Sequence, residues 1–250
     1  ADIPRAQVLT TTISPAAYCA DIQRNDYLNE RRPDAYLELA DSSLPMSLSA
    51  SAASMIVSVA QTTEVDANLE AAECIEAVAR DAAKAKAQGA HLILFPELNL
   101  TGYSIGKKAL EKKAETKDGE LIRRVRAIAR ELSIAIIVGY PELSIEQETT
   151  QSERKIYNSL AVIDETGTLL HSYKKTHLGN DYEKECFVAG DKSELVKVVT
   201  LPNGIKLGVV ICMDSEFPEC MRLLALHGAQ LILVATALAN GPQESVLPLK

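Results

Sequence analysis

Three short segments carry residue types that together could cleave an acyl bond. In Val209-Val210-Ile211-Cys212-Met213-Asp214-Ser215-Glu216-Phe217-Pro218-Glu219 an apolar strand runs straight into a cysteine, and Pro218 suits the first turn of a helix that follows. Such a strand-to-helix turn sets a sulfur at the end of a sheet and aims free backbone N–H groups at whatever the sulfur attacks. Phe95-Pro96-Glu97-Leu98 puts a carboxylate just past an apolar strand. Tyr173-Lys174-Lys175-Thr176-His177-Leu178 puts a lysine at the end of another. A thiol, a carboxylate and an ammonium at three strand ends make a complete acyl-transfer set, and open sheets usually build their sites at strand ends. Singly, each has a plainer reading: an inert buried cysteine, an exposed loop glutamate, a solvated lysine.

The elements that must hold these residues follow from the apolar pattern. Ile56–Ala60 is a short apolar run, and a helix is expected over Asp66–Gln88. Ala71, Cys74, Ile75, Val78 and Ala82 form its apolar face, and Gly89 suits its C-terminal cap. His91–Phe95 reads as a buried strand. A second helix, with Leu121, Val125, Ile128 and Leu132 at helical spacing, leads into a strand at Ile134–Gly139. Tyr157–Ile163 and Thr168–Tyr173 flank the turn Asp164–Gly167, and Leu195–Thr200 and Ile205–Ile211 flank Pro202–Gly204, so two hairpins are expected. A helix at Phe217–His227 and a strand at Gln230–Ala235 complete an α/β or layered α+β domain. The basic run Lys107 through Lys117 reads as a solvated helix face. Residues 1–53 follow no sustained period and end in small residues, which marks an N-terminal extension or linker ahead of a main domain at 54–250.

The 250 residues, 47% hydrophobic and 24% charged, suffice for one large domain. A net charge of −8 argues against a nucleic-acid surface. No apolar run approaches the roughly 20 residues needed to cross a bilayer, so no membrane role is expected. Residues 1–20 lack the charged start and apolar block of a signal peptide. Five scattered cysteines (Cys19, Cys74, Cys186, Cys212, Cys220) show no C-x-x-C pair, which disfavours a zinc site and suits a reducing, cytoplasmic setting.

Four segments then add a family resemblance. Leu94-Phe95-Pro96-Glu97-Leu98 through Leu100-Thr101-Gly102-Tyr103 resembles the glutamate motif of the nitrilase superfamily of carbon–nitrogen hydrolases, closest to its aliphatic amidase-like members. Tyr157-Asn158-Ser159 followed by Tyr173 through Leu178 resembles the approach to that superfamily's lysine. Glu183-Lys184 with Phe187, Gly190 and Asp191 is similar to its second-glutamate segment, and Gly208 through Glu219 to its nucleophile turn. All four occur in family order.

The resemblance implies a four-layer αββα sandwich, shortened at the C-terminus, and a site formed by Glu97, Lys175, Cys212 and Glu183. Glu97 would take the thiol proton, Lys175 and the Met213 N–H would stabilise the developing oxyanion, and Glu183 would fix Lys175 and the substrate amide. The expected reaction hydrolyses a small amide to ammonia and a carboxylic acid through a thioester. Nitrile and N-carbamoyl amine hydrolysis are alternatives that use the same residues. Glu216 would attract a substrate amino group, or is simply a charge at a helix start favoured by the dipole. His177, two residues past Lys175, is expected to line the site. A Cys–His dyad drawing on His91, His171, His177 or His227 is disfavoured, and Gly102–Lys108 has the wrong glycine spacing for a phosphate loop. No metal or organic cofactor is implied. The expected partners are the small amide and further copies of the chain, in a homo-oligomer contacting through Phe217–His227. The missing family continuation after Ala235-Thr236-Ala237 supports a second hypothesis, a non-catalytic nitrilase-like subunit or interaction partner.

Overall fold

Period-two alternation along three neighbouring strands creates a sheet with two buried faces. The structure, a computed structural model, describes residues 32–40, 54–62, 70–148 and 151–237. Strands β1 (Val57–Val59), β2 (Leu92–Leu94), β3 (Ala135–Glu148), β4 (Gln151–Ile163) and β5 (Leu169–Lys174) form one sheet in that order. The first three are parallel, and β3, β4 and β5 are antiparallel. Helices α1 (Ala71–Ala87), α2 (Lys107–Lys113) and α3 (Glu120–Leu132) fall between β1 and β3 in the chain. Ile93, Ile136, Val138 and Ala161 pack with Ile75, Val78 and Ala82 of α1 and with Ile122, Val125 and Ala129 of α3. The alternate residues Leu92, Leu94, Ala135, Ile137, Leu160 and Val162 pack instead with Val199, Leu207, Val209 and Ile211. Full burial of each such aliphatic side chain stabilises the fold by roughly 1.5–3 kcal/mol before conformational entropy is counted.

Those last residues belong to a second sheet of β6 (Val199–Thr200), β7 (Lys206–Ile211) and β8 (Leu231–Ala235), ordered β6-β7-β8. A short helix α4 (Asp181–Cys186) precedes it, and α5 (Pro218–Leu226) lies between β7 and β8 in the chain. α5 sits close on the second sheet: a Cβ added at Gly208 would lie 3.0 Å from the Leu224 side chain. The layers therefore run helix, sheet, sheet, helix, as the sequence resemblance implies.

Several elements differ from the apolar pattern. β3 and β4 extend to a register pairing Glu148 with Gln151, well past the expected end at Gly139. Gly139 and Pro141 signal a strand end locally, but thirteen-residue pairing with β4 outweighs them. The expected strand over Leu195–Thr200 is reduced to Val199–Thr200, because Lys192–Val196 forms a 3-10 turn. Asp191 caps that turn by accepting the Ser193 N–H at 2.9 Å. The helix expected from Asp66 begins at Ala71, and residues 63–69 lie outside the described set.

Within the stretch read as an extension, Pro33–Ala40 is a 3-10 helix. Its Ala35 and Tyr36 are buried in one cluster with Leu195, Met213, Phe217, Cys220 and Leu223. The rest of residues 1–53 lies outside the described set. Among the described residues, no helix is long and apolar enough to cross a membrane.

Candidate active site

Each chemical residue leaves the end of a strand or a short helix, and close backbone approaches fix where. Glu97 lies just past β2, in a turn where Leu98 adopts φ +51°. That turn rests directly on β3. Leu100 N–H donates to the Gly139 carbonyl at 3.0 Å, and a Cβ at Gly139 would stand 2.3 Å from Leu98 N. Only glycine admits this approach. Lys175 follows β5, and its N–H donates to the Asn158 carbonyl at 2.8 Å. Gly190 lies against the same stretch, where a Cβ would come 2.3 Å from the Lys174 carbonyl oxygen. Glu183 sits on α4, whose N-cap Asn180 accepts the Glu183 N–H at 2.9 Å. Cys212 opens a 3-10 turn at the end of β7 with φ +43°, a left-handed conformation that a non-glycine residue adopts at a cost.

The structure brings Glu97, Lys175 and Glu183 into one buried cluster. Lys175 Nζ donates to Glu97 Oε1 and to Glu183 Oε1, each at 2.7 Å. All three side chains are at most 1% exposed. Asn158 Nδ2 also donates to Glu97 Oε1, at 2.7 Å, and Ala237 N–H donates to Glu97 Oε2 at 3.1 Å. Tyr103 O–H donates to Glu183 Oε1 and Gly179 N–H to Glu183 Oε2, both at 2.6 Å. Asn180 Nδ2 in turn donates to the Tyr103 oxygen at 2.9 Å.

The charges set the proton positions. Burial alone would lower the Lys175 ammonium, but the negative field of Glu97 and Glu183, joined by Cys212 once its thiol ionises, outweighs it and holds the lysine protonated. Burial pushes the Glu97 carboxyl above the ordinary carboxylate range; Lys175 pulls it down, and Glu183 adds to the rise. Cys212 is half-buried in the same field. Burial and then Glu97 push its thiol up to about 12, opposed by Lys175.

A third carboxylate, Asp214, organises the back of the turn that carries Cys212. It is fully buried. Its Oδ1 accepts from Thr176 Oγ1 at 2.8 Å, His177 N–H at 2.9 Å and His177 Nδ1 at 2.9 Å. Its Oδ2 accepts from Tyr173 O–H at 2.7 Å and Ile211 N–H at 3.1 Å. Burial raises the Asp214 carboxyl, but the hydrogen bond from His177, the Lys175 ammonium and the Tyr173 hydroxyl hold it below the ordinary range. Five donors to one carboxylate thus tie the lysine segment to the cysteine turn.

His177 does not stand at an open surface of the site. It is 3% exposed, bonded to Asp214, and stacked between Phe217 (centroids 4.3 Å apart) and Tyr36 (5.9 Å). Met213 is buried beside Gly179, whose added Cβ would lie 3.5 Å from the Met213 side chain. Glu216 ends the 3-10 turn, half-buried. Sequence reasoning passed over Asn158, Tyr103 and Asp214 as site residues. The available signal was an amide side chain just before the apolar run Leu160–Ile163 for Asn158, and an acid two places past the cysteine for Asp214. Among the described residues, no group of three or more His, Cys, Asp and Glu is arranged to hold a metal ion.

The family profile described as carbon-nitrogen hydrolase matches residues 52–247. The chain belongs to that family. A Pseudomonas protegens protein named "Hydrolase in pqqF 5'region" is 44% identical over 153 residues, covering 61% of this chain and 50% of that protein. The N-carbamoylputrescine amidase of Arabidopsis thaliana is 35% identical over 191 residues, covering 74% of this chain and 58% of its own length. A mutant of the amidase from Nesterenkonia sp. AN1, solved in complex with butyramide, superposes with a TM-score of 0.60 at 32% identity. That superposition covers 77% of this chain and 68% of the amidase. This carbon–nitrogen hydrolase chain thus spans about half the length of the curated relatives it matches.

Proposed function

We propose that this chain hydrolyses the carbon–nitrogen bond of a small amide, releasing ammonia and a carboxylic acid through a thioester on Cys212. The observation that carries the reading is the buried Glu97–Lys175–Glu183 cluster, with Lys175 Nζ 2.7 Å from each carboxylate, in whose field burial and Glu97 push the Cys212 thiol up. Losing the thiol proton to solvent would add a negative charge to a buried site that already holds two carboxylates and one ammonium. Passing it to Glu97 leaves the net charge unchanged, so transfer to Glu97 is the low-cost route. Glu97, with its elevated carboxyl, is suited to accept that proton.

The sulfur then attacks the amide carbon, and the oxyanion forms near the Lys175 ammonium and the Met213 N–H. Glu97 returns the proton to the departing nitrogen as the C–N bond breaks. Water, deprotonated by the same carboxylate, attacks the thioester carbon, and the thiol recovers its proton as the acid leaves. Glu183 holds Lys175 from the other side throughout. The butyramide complex of the Nesterenkonia amidase supports a small aliphatic amide as substrate. The likeness to N-carbamoylputrescine amidases supports an N-carbamoyl amine as a second substrate class, with Glu216 attracting its amino group.

The test is ammonia release from aliphatic amides, ω-amino amides, N-carbamoyl amines and nitriles, with Cys212→Ala as control. Release that disappears in the variant supports the reading and names the class. A folded chain that releases nothing from any of them overturns it in favour of a non-catalytic subunit.

A further inference from the structure

The 3-10 helix Pro33–Ala40 lies outside the residues that match the family profile, yet it reaches the back of the nucleophile turn. Its Tyr36 is 7% exposed and places its hydroxyl 2.5 Å from His177 Nε2. His177 Nδ1 lies 2.9 Å from Asp214 Oδ1, and Asp214 Oδ2 accepts the N–H of Ile211, the residue before Cys212. Asp214 is held ionised and can only accept, so His177 Nδ1 carries a proton towards it, while the opposite ring nitrogen, Nε2, meets the Tyr36 hydroxyl. The contacts thus run from Tyr36 to His177 to Asp214, ending at the turn where Cys212 is held at φ +43°. A second contact secures the segment: Arg32 donates from a guanidinium nitrogen to the Gly190 carbonyl at 2.9 Å. Gly190 N–H itself donates to the Lys175 carbonyl at 2.8 Å, so the segment touches both the cysteine side and the lysine side of the site.

We infer that Tyr36 is a positioning residue for the hydrolase reaction, holding His177 and through it the nucleophile turn, so that an element beyond the family core sets the placement of Cys212. The inference rests on Cys212 being the nucleophile. Tyr36 touches no reacting atom. Its hydroxyl fixes the imidazole plane against Asp214 Oδ1, while Asp214 Oδ2 holds the Ile211 N–H and the Tyr173 hydroxyl. Loss of the hydroxyl leaves Nε2 buried without this partner while the aromatic stack on His177 remains.

The experiment compares the full chain with Tyr36→Phe, His177→Asn and the double variant. Asn at 177 keeps a donor towards Asp214 and removes the partner of Tyr36. Two rates are read: amide turnover, and alkylation of Cys212 by iodoacetamide located by peptide mass. Tyr36→Phe is expected to lower kcat and the alkylation rate together by about three- to tenfold, the worth of one buried hydrogen bond, with KM unchanged. In the His177→Asn background the same change should have no further effect, which a purely structural role would not produce. Should Tyr36→Phe fail to fold, Arg32→Ala, which loosens the segment without touching the ring stack, carries the same expectation. Unchanged kcat and alkylation rate, or an equal further loss on top of His177→Asn, overturns the inference and leaves the hydrolase reading standing. A Cys212 that iodoacetamide modifies in none of the chains overturns both.

Discussion

Replacing Lys175 by Met tests the buried cluster most directly. Methionine is unbranched and of similar volume, so the change removes charge while leaving little cavity. In the parent chain Nζ bridges Glu97 and Glu183 at 2.7 Å to each, with all three side chains at most 1% exposed. Without the ammonium, two carboxylates share one dry site. Removing one partner of a buried pair costs about 3–5 kcal/mol. For a domain of this size each kcal/mol moves the melting temperature by about 2–4 °C, so a fall of about 6–20 °C is expected. The site can relieve part of the cost by protonating a carboxylate, whose folded pKa then stands above its unfolded value. A group raised in this way contributes stability below its unfolded pKa and loses it as pH rises through the folded one. The deficit of the variant should therefore be smaller near about pH 5 than near about pH 8, and thermal melts at both pH values read it. Turnover should fall by at least about 10²-fold, because the oxyanion loses its charged donor. A variant that melts within about 2 °C of the parent at both pH values would refute the argument that these carboxylates depend on the lysine.

Three further outcomes follow from the same geometry. Gly139→Ala puts a Cβ 2.3 Å from Leu98 N and 2.6 Å from the Pro96 carbonyl oxygen, both backbone atoms. It should cost about 1–3 kcal/mol and lower kcat about tenfold or more by displacing Glu97, read by melting and ammonia release. Asp214→Asn leaves part of a five-donor cradle without an acceptor and should destabilise by about 3 kcal/mol near neutrality. Because the Asp214 carboxyl is held below its ordinary range, its contribution is present above the unfolded pKa and lost as pH falls through the folded one. Parent and variant should therefore converge in stability on acidification. Finally, kcat/KM should fall on the acid side with a midpoint above the ordinary glutamate value of 4.5, since Glu97 must be ionised to accept the thiol proton. An acid limb at or below that value would remove Glu97 as the base.

The strand ends that carry Glu97, Lys175 and Cys212 were legible in the sequence because each is preceded by a local run of strand-forming residues. Alternating helices and strands mixed with hairpins pointed to an α/β or layered α+β domain, without the order of its layers. Family order among four motifs then added the fold and the residue roles, which composition and periodicity left open.

What the sequence could not decide are the pairings that join residues far apart in the chain. Asn158 reaches Glu97 across 61 positions, Tyr173 reaches Asp214 across 41, and Tyr36 reaches His177 across 141. None leaves a periodic trace, because one hydrogen bond between distant residues constrains two side chains and no repeat. For the same reason His177 was expected at the site's lining, since its sequence neighbour Lys175 is there. The fold instead turns it towards Asp214 and sandwiches it between Phe217 and Tyr36. By itself the sequence determined which strand ends carry a thiol, a carboxylate and an ammonium, and that helices and strands alternate around them. Only the tertiary structure decided which buried polar groups satisfy one another, because an unpaired buried group is costly and the choice among candidates is made by packing.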